Sequence, residues 1–242
     1  MAGRLRFLLL QVRNADDPMR QHEVGAFARV LGIETSQIHV LDLLNVAVTK
    51  DHLAPTDMVL LGGAGEYSAA GEGAWLEQAL DSLRVVHAAK KPTFASCWGF
   101  QALARAMGGR VVHDLSRAEV GTHQVYLTEA GQRDPVFAPL APSFPAQMGH
   151  EDYVAELPPQ ATLLAYSEKV PHQAYRFDDA PIYCTQFHPE LTSHDLLLRL
   201  RNYPQYVERI ARVTLSELTA SLQDSASAQA ILKRFVAHYF GD

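Results

Sequence analysis

Short apolar runs alternate with helical spacing through the first hundred residues, and this rhythm limits the fold more than any other feature of the chain. Residues 7–12, 38–43, 58–61 and 92–95 are apolar runs too short to be helices. Between them, residues 19–31 follow a helix entry at Asp16-Asp17-Pro18, and residues 75–89 carry Leu76, Ala79, Leu80 and Leu83 at helical intervals. Strands alternating with helices run parallel, and a parallel sheet needs helices over both faces. Ligands of such sheets bind outside the carboxyl ends of the strands. Two of those ends are distinctive here. The third run passes into Gly62-Gly63-Ala64-Gly65, and the fourth stops at Ser96-Cys97-Trp98-Gly99-Phe100-Gln101.

The second of these stops exposes a thiol on a tight strand-to-helix turn, where small neighbours relieve the crowding of the bend. The helix expected over residues 101–107 ends at the cap pair Gly108-Gly109, and its N-terminal dipole favours a thiolate at Cys97. Downstream, an apolar strand over residues 182–187 runs directly into His188-Pro189-Glu190. In extended backbone, residues i and i+2 share a face. Pro189 biases His188 toward extended dihedrals and fixes its own φ, so Glu190 is set beside the imidazole. Cys97, His188 and Glu190 thus form a candidate triad of nucleophile, base and orienting carboxylate. The Trp98 backbone N–H, next after the nucleophile, is a candidate oxyanion donor. Cys184 lies mid-strand among apolar neighbours and reads as core packing.

These blocks resemble the class I, triad-type glutamine amidotransferases, and most of all the glutaminase domain of GMP synthases. Leu60-Leu61-Gly62-Gly63-Ala64-Gly65 resembles the family's Gly-Gly-Pro-Gly loop, and Gln186-Phe187-His188-Pro189-Glu190 matches the family motif at every position. Gln147-Met148-Gly149-His150-Glu151-Asp152 is similar to a family Met-Ser-His-Gly-Asp segment, with Glu151 in place of the glycine. Gln173-Ala174-Tyr175-Arg176-Phe177 resembles the strand before the His-Pro-Glu block, and Ala95 stands where the family elbow usually has glycine. The resemblance implies a three-layer, flavodoxin-like α/β fold with a mostly parallel central sheet. It implies amide hydrolysis through a thioester on Cys97, with the Gly63 N–H as a second oxyanion donor. It also implies substrate contacts from Gln101 and the Gly65 backbone, with no cofactor. His150 is a candidate for the substrate pocket, and a loop-stapling histidine is an equal reading of the same residue.

Length and composition bound the remainder. At 242 residues and 48% hydrophobic, the chain is expected to form one large domain over residues 1–202 with a helical extension, 203–242, packed on it. A net charge of −6 disfavours a nucleic-acid surface, so a small ligand is expected, which the resemblance makes glutamine or a γ-glutamyl amide. Two cysteines are too few for a disulfide framework, which makes the cytoplasm the expected compartment. The basic start before residues 7–12 reads as the approach to a first strand rather than a signal peptide, and no apolar run is long enough to span a membrane. None of the eleven histidines has zinc-site spacing, so no metal is expected.

Between residues 111 and 184 the runs shorten, at 119–128, 161–167 and 172–177, and an antiparallel or mixed annex is expected there. Beyond Glu190 helices are expected over 196–200, 206–222 and 228–239. The stripe Ile231, Leu232, Phe235, Val236 and Tyr239 is suited to covering the core or to a contact in a homodimer. Nothing after Glu190 resembles the ATP-pyrophosphatase loop of GMP synthases. Ammonia would then pass to a separate acceptor synthetase, or the chain would act alone. Two alternatives stand beside the glutaminase: a γ-glutamyl peptidase with the same triad, and a non-catalytic binding or regulatory protein on this scaffold, which the intact triad disfavours.

Overall fold

The computed structural model describes residues 5–241; the basic start at residues 1–4 lies outside the described residues. In chain order the strands are β1 (Phe7–Gln11), β2 (Ile38–Asp42), β3 (Met58–Leu61), β4 (Thr93–Ser96), β5 (Arg110–His113), β6 (Glu119–Leu127), β7 (Ser143–His150), β8 (Asp152–Glu156), β9 (Ala161–Tyr166), β10 (Ala174–Phe177) and β11 (Ile182–Thr185). The helices are α1 (Met19–Leu31), α2 (Lys50–Leu53), α3 (Ala74–Ala88), α4 (Trp98–Ala106), α5 (Glu129–Arg133), α6 (Ser193–Asn202), α7 (Pro204–Tyr206), α8 (Leu215–Ser221) and α9 (Ala226–Phe240).

One nine-stranded sheet, in the order β2-β1-β3-β4-β11-β10-β9-β6-β7, forms the middle layer. Its first five strands run parallel and the rest antiparallel. Alternation along β1 shows how both faces are used. Phe7 and Leu9 join the core that contains Phe27 of α1 and Phe235 of α9, while Leu8 and Leu10 join the core that contains Leu83 of α3 and Leu103 of α4. With period two and both faces covered, each residue of β1 is buried. The layers are therefore helices, sheet and helices, as the resemblance implied.

Two sequence expectations need correcting. Most of the antiparallel strands do not form a separate annex, because β10, β9, β6 and β7 continue the main sheet from β11. Only the ribbon β5-β8 stands apart, against α4. Strand alternation reveals which face is buried but not which strand edge a segment joins. The helix expected over 206–222 is also broken: a turn of π-helix, Val207–Ala211, ends at Arg212 in the left-handed region (φ 53°). A new helix then starts at Thr214, whose side chain accepts from the Glu217 N–H while Glu217 reaches back to the Thr214 N–H. Helix α9 matches its expectation, and its apolar stripe packs into the core beside Phe94 and Tyr183.

Candidate active site

Parallel pairing of β4 with β11 brings two distant sequence motifs to one edge. Ser96 is in register with Thr185, and the Cys97 N–H donates to the Thr185 carbonyl at 2.8 Å. Both chains then leave the sheet at its carboxyl end, one through Cys97 and the other through His188. Cys97 sits at φ 52°, ψ −106°, a region non-glycine residues rarely adopt, and strain of this kind costs about 1–3 kcal/mol. Helix α4 starts at Trp98, earlier than its sequence spacing suggested. Gly99 lets it start there, since a Cβ at that position would lie 2.5 Å from the Leu61 Cβ.

Across the turn, His188 Nδ1 lies 2.7 Å from Glu190 Oε1, with the imidazole 4% exposed and the carboxylate fully buried. Nδ1 donates to the carboxylate, which leaves Nε2 as the free nitrogen. Burial opposes a charged ring, but the Glu190 carboxylate and the facing Cys97 sulfur outweigh it, and the His188 pKa is pushed up to about 9. Burial likewise opposes the Glu190 charge; His188 and Arg199 override it and hold the carboxyl below its usual range. Arg199 Nη1 is 3.3 Å from His188 Nδ1 and 3.7 Å from Glu190 Oε1. With Nδ1 already donating to Glu190, the guanidinium acts on this pair through its charge.

The glycine loop after β3 packs directly on the imidazole, since a Cβ on Gly63 would lie 3.2 Å from His188 Cε1. Among the described residues, neither the Gly63 nor the Trp98 backbone N–H has an acceptor of its own. One cavity is lined by Cys97, His188, Gly63, Gly65, Gln101 and His150. Gln101 Nε2 donates to the Asp152 carbonyl (2.8 Å) and to Gln186 Oε1 (3.0 Å). The Gly65 carbonyl accepts from the Tyr206 hydroxyl at 3.1 Å. His150 has internal partners for both ring nitrogens, the Asp152 carbonyl at 2.9 Å and Glu119 Oε2 at 3.1 Å, so only ring carbons are left for a ligand. Cys184 lies in the core, where burial pushes its thiol pKa up.

The cavity is also lined by residues that no local motif marks: Arg13, Arg199, Tyr203 and Tyr206. Arg13 donates to both oxygens of the fully buried Glu23, at 3.1 and 3.3 Å, and to the Tyr203 hydroxyl at 2.8 Å. One signal for Arg13 was present in the sequence. It follows an apolar strand at the same carboxyl edge as Gly62 and Cys97. Arg209 pairs with Glu151 at 3.4 Å, tying the C-terminal segment to the loop after β7.

With this geometry in place, comparison with known proteins gives a consistent result. The profile of the glutamine amidotransferase class-I family matches residues 26–197. A glutamine-hydrolyzing GMP synthase subunit from Thermococcus kodakarensis is 30% identical over 171 residues, covering 70% of this chain and 83% of that protein. A GMP synthase from Shewanella sediminis is 24% identical over 178 residues, covering 72% of this chain but 31% of that protein. Across three of the curated relatives it matches, the chain spans 31% to 52% of their length. A crystal structure of a glutamine amidotransferase from Thermotoga maritima superposes with a TM-score of 0.75 at 19% identity, covering 97% of each chain, and so shares the fold.

Proposed function

This chain belongs to the glutamine amidotransferase class-I family, and we propose that it is a glutaminase whose triad is Cys97, His188 and Glu190. Cys97 Sγ attacks the side-chain amide carbon of glutamine, and His188 Nε2 accepts the thiol proton and returns it to the departing ammonia. Water then hydrolyses the thioester to glutamate. Glu190 holds the ring through Nδ1 and stabilises its charge. The N–H groups of Gly63 and Trp98 stabilise the oxyanion, and losing one such donor typically costs ~10²–10³ in rate. Gln101 and the Gly65 backbone are assigned to the glutamine end of the cavity.

The observation that carries this reading is the 2.7 Å His188–Glu190 bond in the turn just after the strand paired with the one that presents Cys97. Several relatives are named as one subunit of a GMP synthase rather than as the whole enzyme, which supports a partner here, a separate synthetase that accepts the ammonia. Packing of α9 in the core supports assigning residues 203–242 to the same domain.

The test is labelling of Cys97 by a glutamine-analogue electrophile, with ammonia release from glutamine and from γ-glutamyl peptides measured in parallel. Wild type should label at Cys97, and Cys97→Ala should not. Glu190→Gln should lose less activity than His188→Ala, because the carboxylate acts only through the ring. Labelling elsewhere, or turnover retained in Cys97→Ala, removes the nucleophile assignment; cleavage of the peptides but not of glutamine transfers it to a γ-glutamyl hydrolase.

A further inference from the structure

We propose that Arg199 is a positioning residue of this reaction, a standing cation that keeps Glu190 ionised and aligned with His188 while the imidazole changes charge. The inference rests on the glutaminase reading. When His188 hands its proton to departing ammonia, the ring becomes neutral, and Glu190, fully buried, loses the cation it was paired with. A buried carboxylate without a counter-charge takes up a proton, and the ring would then lose the partner that orients it. A guanidinium is a permanent cation, and that of Arg199 stands 3.7 Å from Glu190 Oε1.

The way Arg199 is held argues for a charge role rather than a packing one. It is 7% exposed, yet its Nε and Nη2 have no hydrogen-bond partner among the described residues. What it has instead is a line of alternating charges. Its Nη2 lies 3.7 Å from Glu23 Oε1, and Glu23 is in turn clamped by Arg13 and by Gln11 Nε2 at 2.9 Å. Beyond Arg13 comes Asp17, 3.2 Å from Nη1. Negative and positive groups therefore alternate from Glu190 through Arg199, Glu23 and Arg13 to Asp17. The glycine loop rests on this line, since a Cβ on Gly63 would lie 3.7 Å from Arg199 Nη1 and 3.8 Å from Arg13 Nη2. The guanidinium that supports the triad carboxylate also lies under the loop that carries the Gly63 N–H.

Three variants test this: Arg199→Met, Arg199→Lys, and the double variant Glu23→Gln with Arg199→Met. The double variant removes one charge of each sign and so leaves the net charge of the interior unchanged if the single loss of Arg199 prevents folding. For each, kcat and KM for glutamine and the pH profile of Cys97 labelling are measured on protein whose circular dichroism matches wild type. Arg199→Met should lose on the order of 10²-fold in kcat with KM nearly unchanged. The charged groups facing His188 are Glu190, Cys97 and Arg199, with Arg13 behind the loop. Removing the Arg199 cation should raise the pKa values of both the ring and Glu190, moving both limbs of the profile to higher pH. Arg199→Lys should restore most of kcat and the original profile, and the double variant should show the Arg199→Met shift. Wild type that neither labels nor releases ammonia overturns the glutaminase reading and this inference with it. A reactive wild type whose profile is unmoved in Arg199→Met and in the double variant overturns this inference alone, as does an equal loss in Lys and Met.

Discussion

Gly62→Ala should disable this protein through a clash that an unconstrained glutamate would escape. A Cβ at position 62 would lie 2.2 Å from Glu23 Oε1 and 2.8 Å from its Cδ. Ordinary contact begins near 3.4 Å, so the carboxylate would have to retreat by about 1.2 Å. A surface glutamate would swing aside at little cost. Glu23 is fully buried, and its carboxylate receives Arg13 at 3.1 and 3.3 Å and Gln11 at 2.9 Å. The retreat breaks at least one charge-assisted hydrogen bond, about 1.5–3 kcal/mol, and up to about 3–5 kcal/mol if the ion pair separates. If the loop yields instead, the Gly63 N–H is displaced by a similar distance, and a misplacement of about 1 Å can cost 10²-fold in rate. Urea unfolding reads the first outcome and Cys97 labelling reads the second. Gly149→Ala is the control: nothing lies within 4 Å of its added Cβ, and its stability should stay within about 0.5 kcal/mol of wild type. If Gly62→Ala unfolds within about 1 kcal/mol of wild type and labels at the wild-type rate, the carboxylate is not pinned as described.

Two further outcomes are expected. The pKa of His188 is raised on folding from 6.5 to about 9, so its stabilisation is fully present below pH 6.5 and is lost as pH rises through 9. At roughly 1.4 kcal/mol per unit this amounts to about 3 kcal/mol, seen in urea unfolding across that window and flattened in His188→Gln; wild-type stability that rises with pH there contradicts the ion pair. Phe235→Ala, which empties a fully buried site on α9 against Phe94 and Tyr183, should cost about 3–5 kcal/mol in one cooperative transition. A separate early transition for α9 would instead make residues 203–242 an independent unit.

The parts of the fold and the candidate site that were legible in the sequence are those encoded over a few residues. An apolar run that stops at Cys97 carries its own turn. His188-Pro189-Glu190 carries its own pairing by closeness in sequence, though in a turn closed by the Leu191 N–H on the His188 carbonyl rather than in the extended chain expected, and the stripe on α9 carries its own buried face. The charged lining is spelled by single residues on β1's carboxyl end, α1, α6 and α7, and no spacing joins Arg13 to Glu23, Arg199 or Tyr203 before the sheet is assembled. Of the antiparallel strands, β6, β9 and β10 were visible as strands but not as part of the main sheet, because edge pairing is decided by the fold as a whole, while β5, β7 and β8 were not expected. The break at Arg212 is a different case. Thr214 and Glu217 spell a helix start, but the apolar residues on either side suggested continuity.

Placing β11 between β4 and β10 has a consequence for how the protein comes into being. Cys97 and its helix leave the ribosome well before residues 182–190, and the strand that delivers His188 enters the middle of the sheet, not its rim. Such long-range pairing is among the slower steps of folding. Until it occurs, the growing chain holds Cys97 without the histidine and carboxylate of the proposed triad, and only the ordinary reactivity of a free thiol is present. If the proposed triad holds, uptake of a glutamine-analogue electrophile, which needs the assembled pocket, starts only when the central sheet closes.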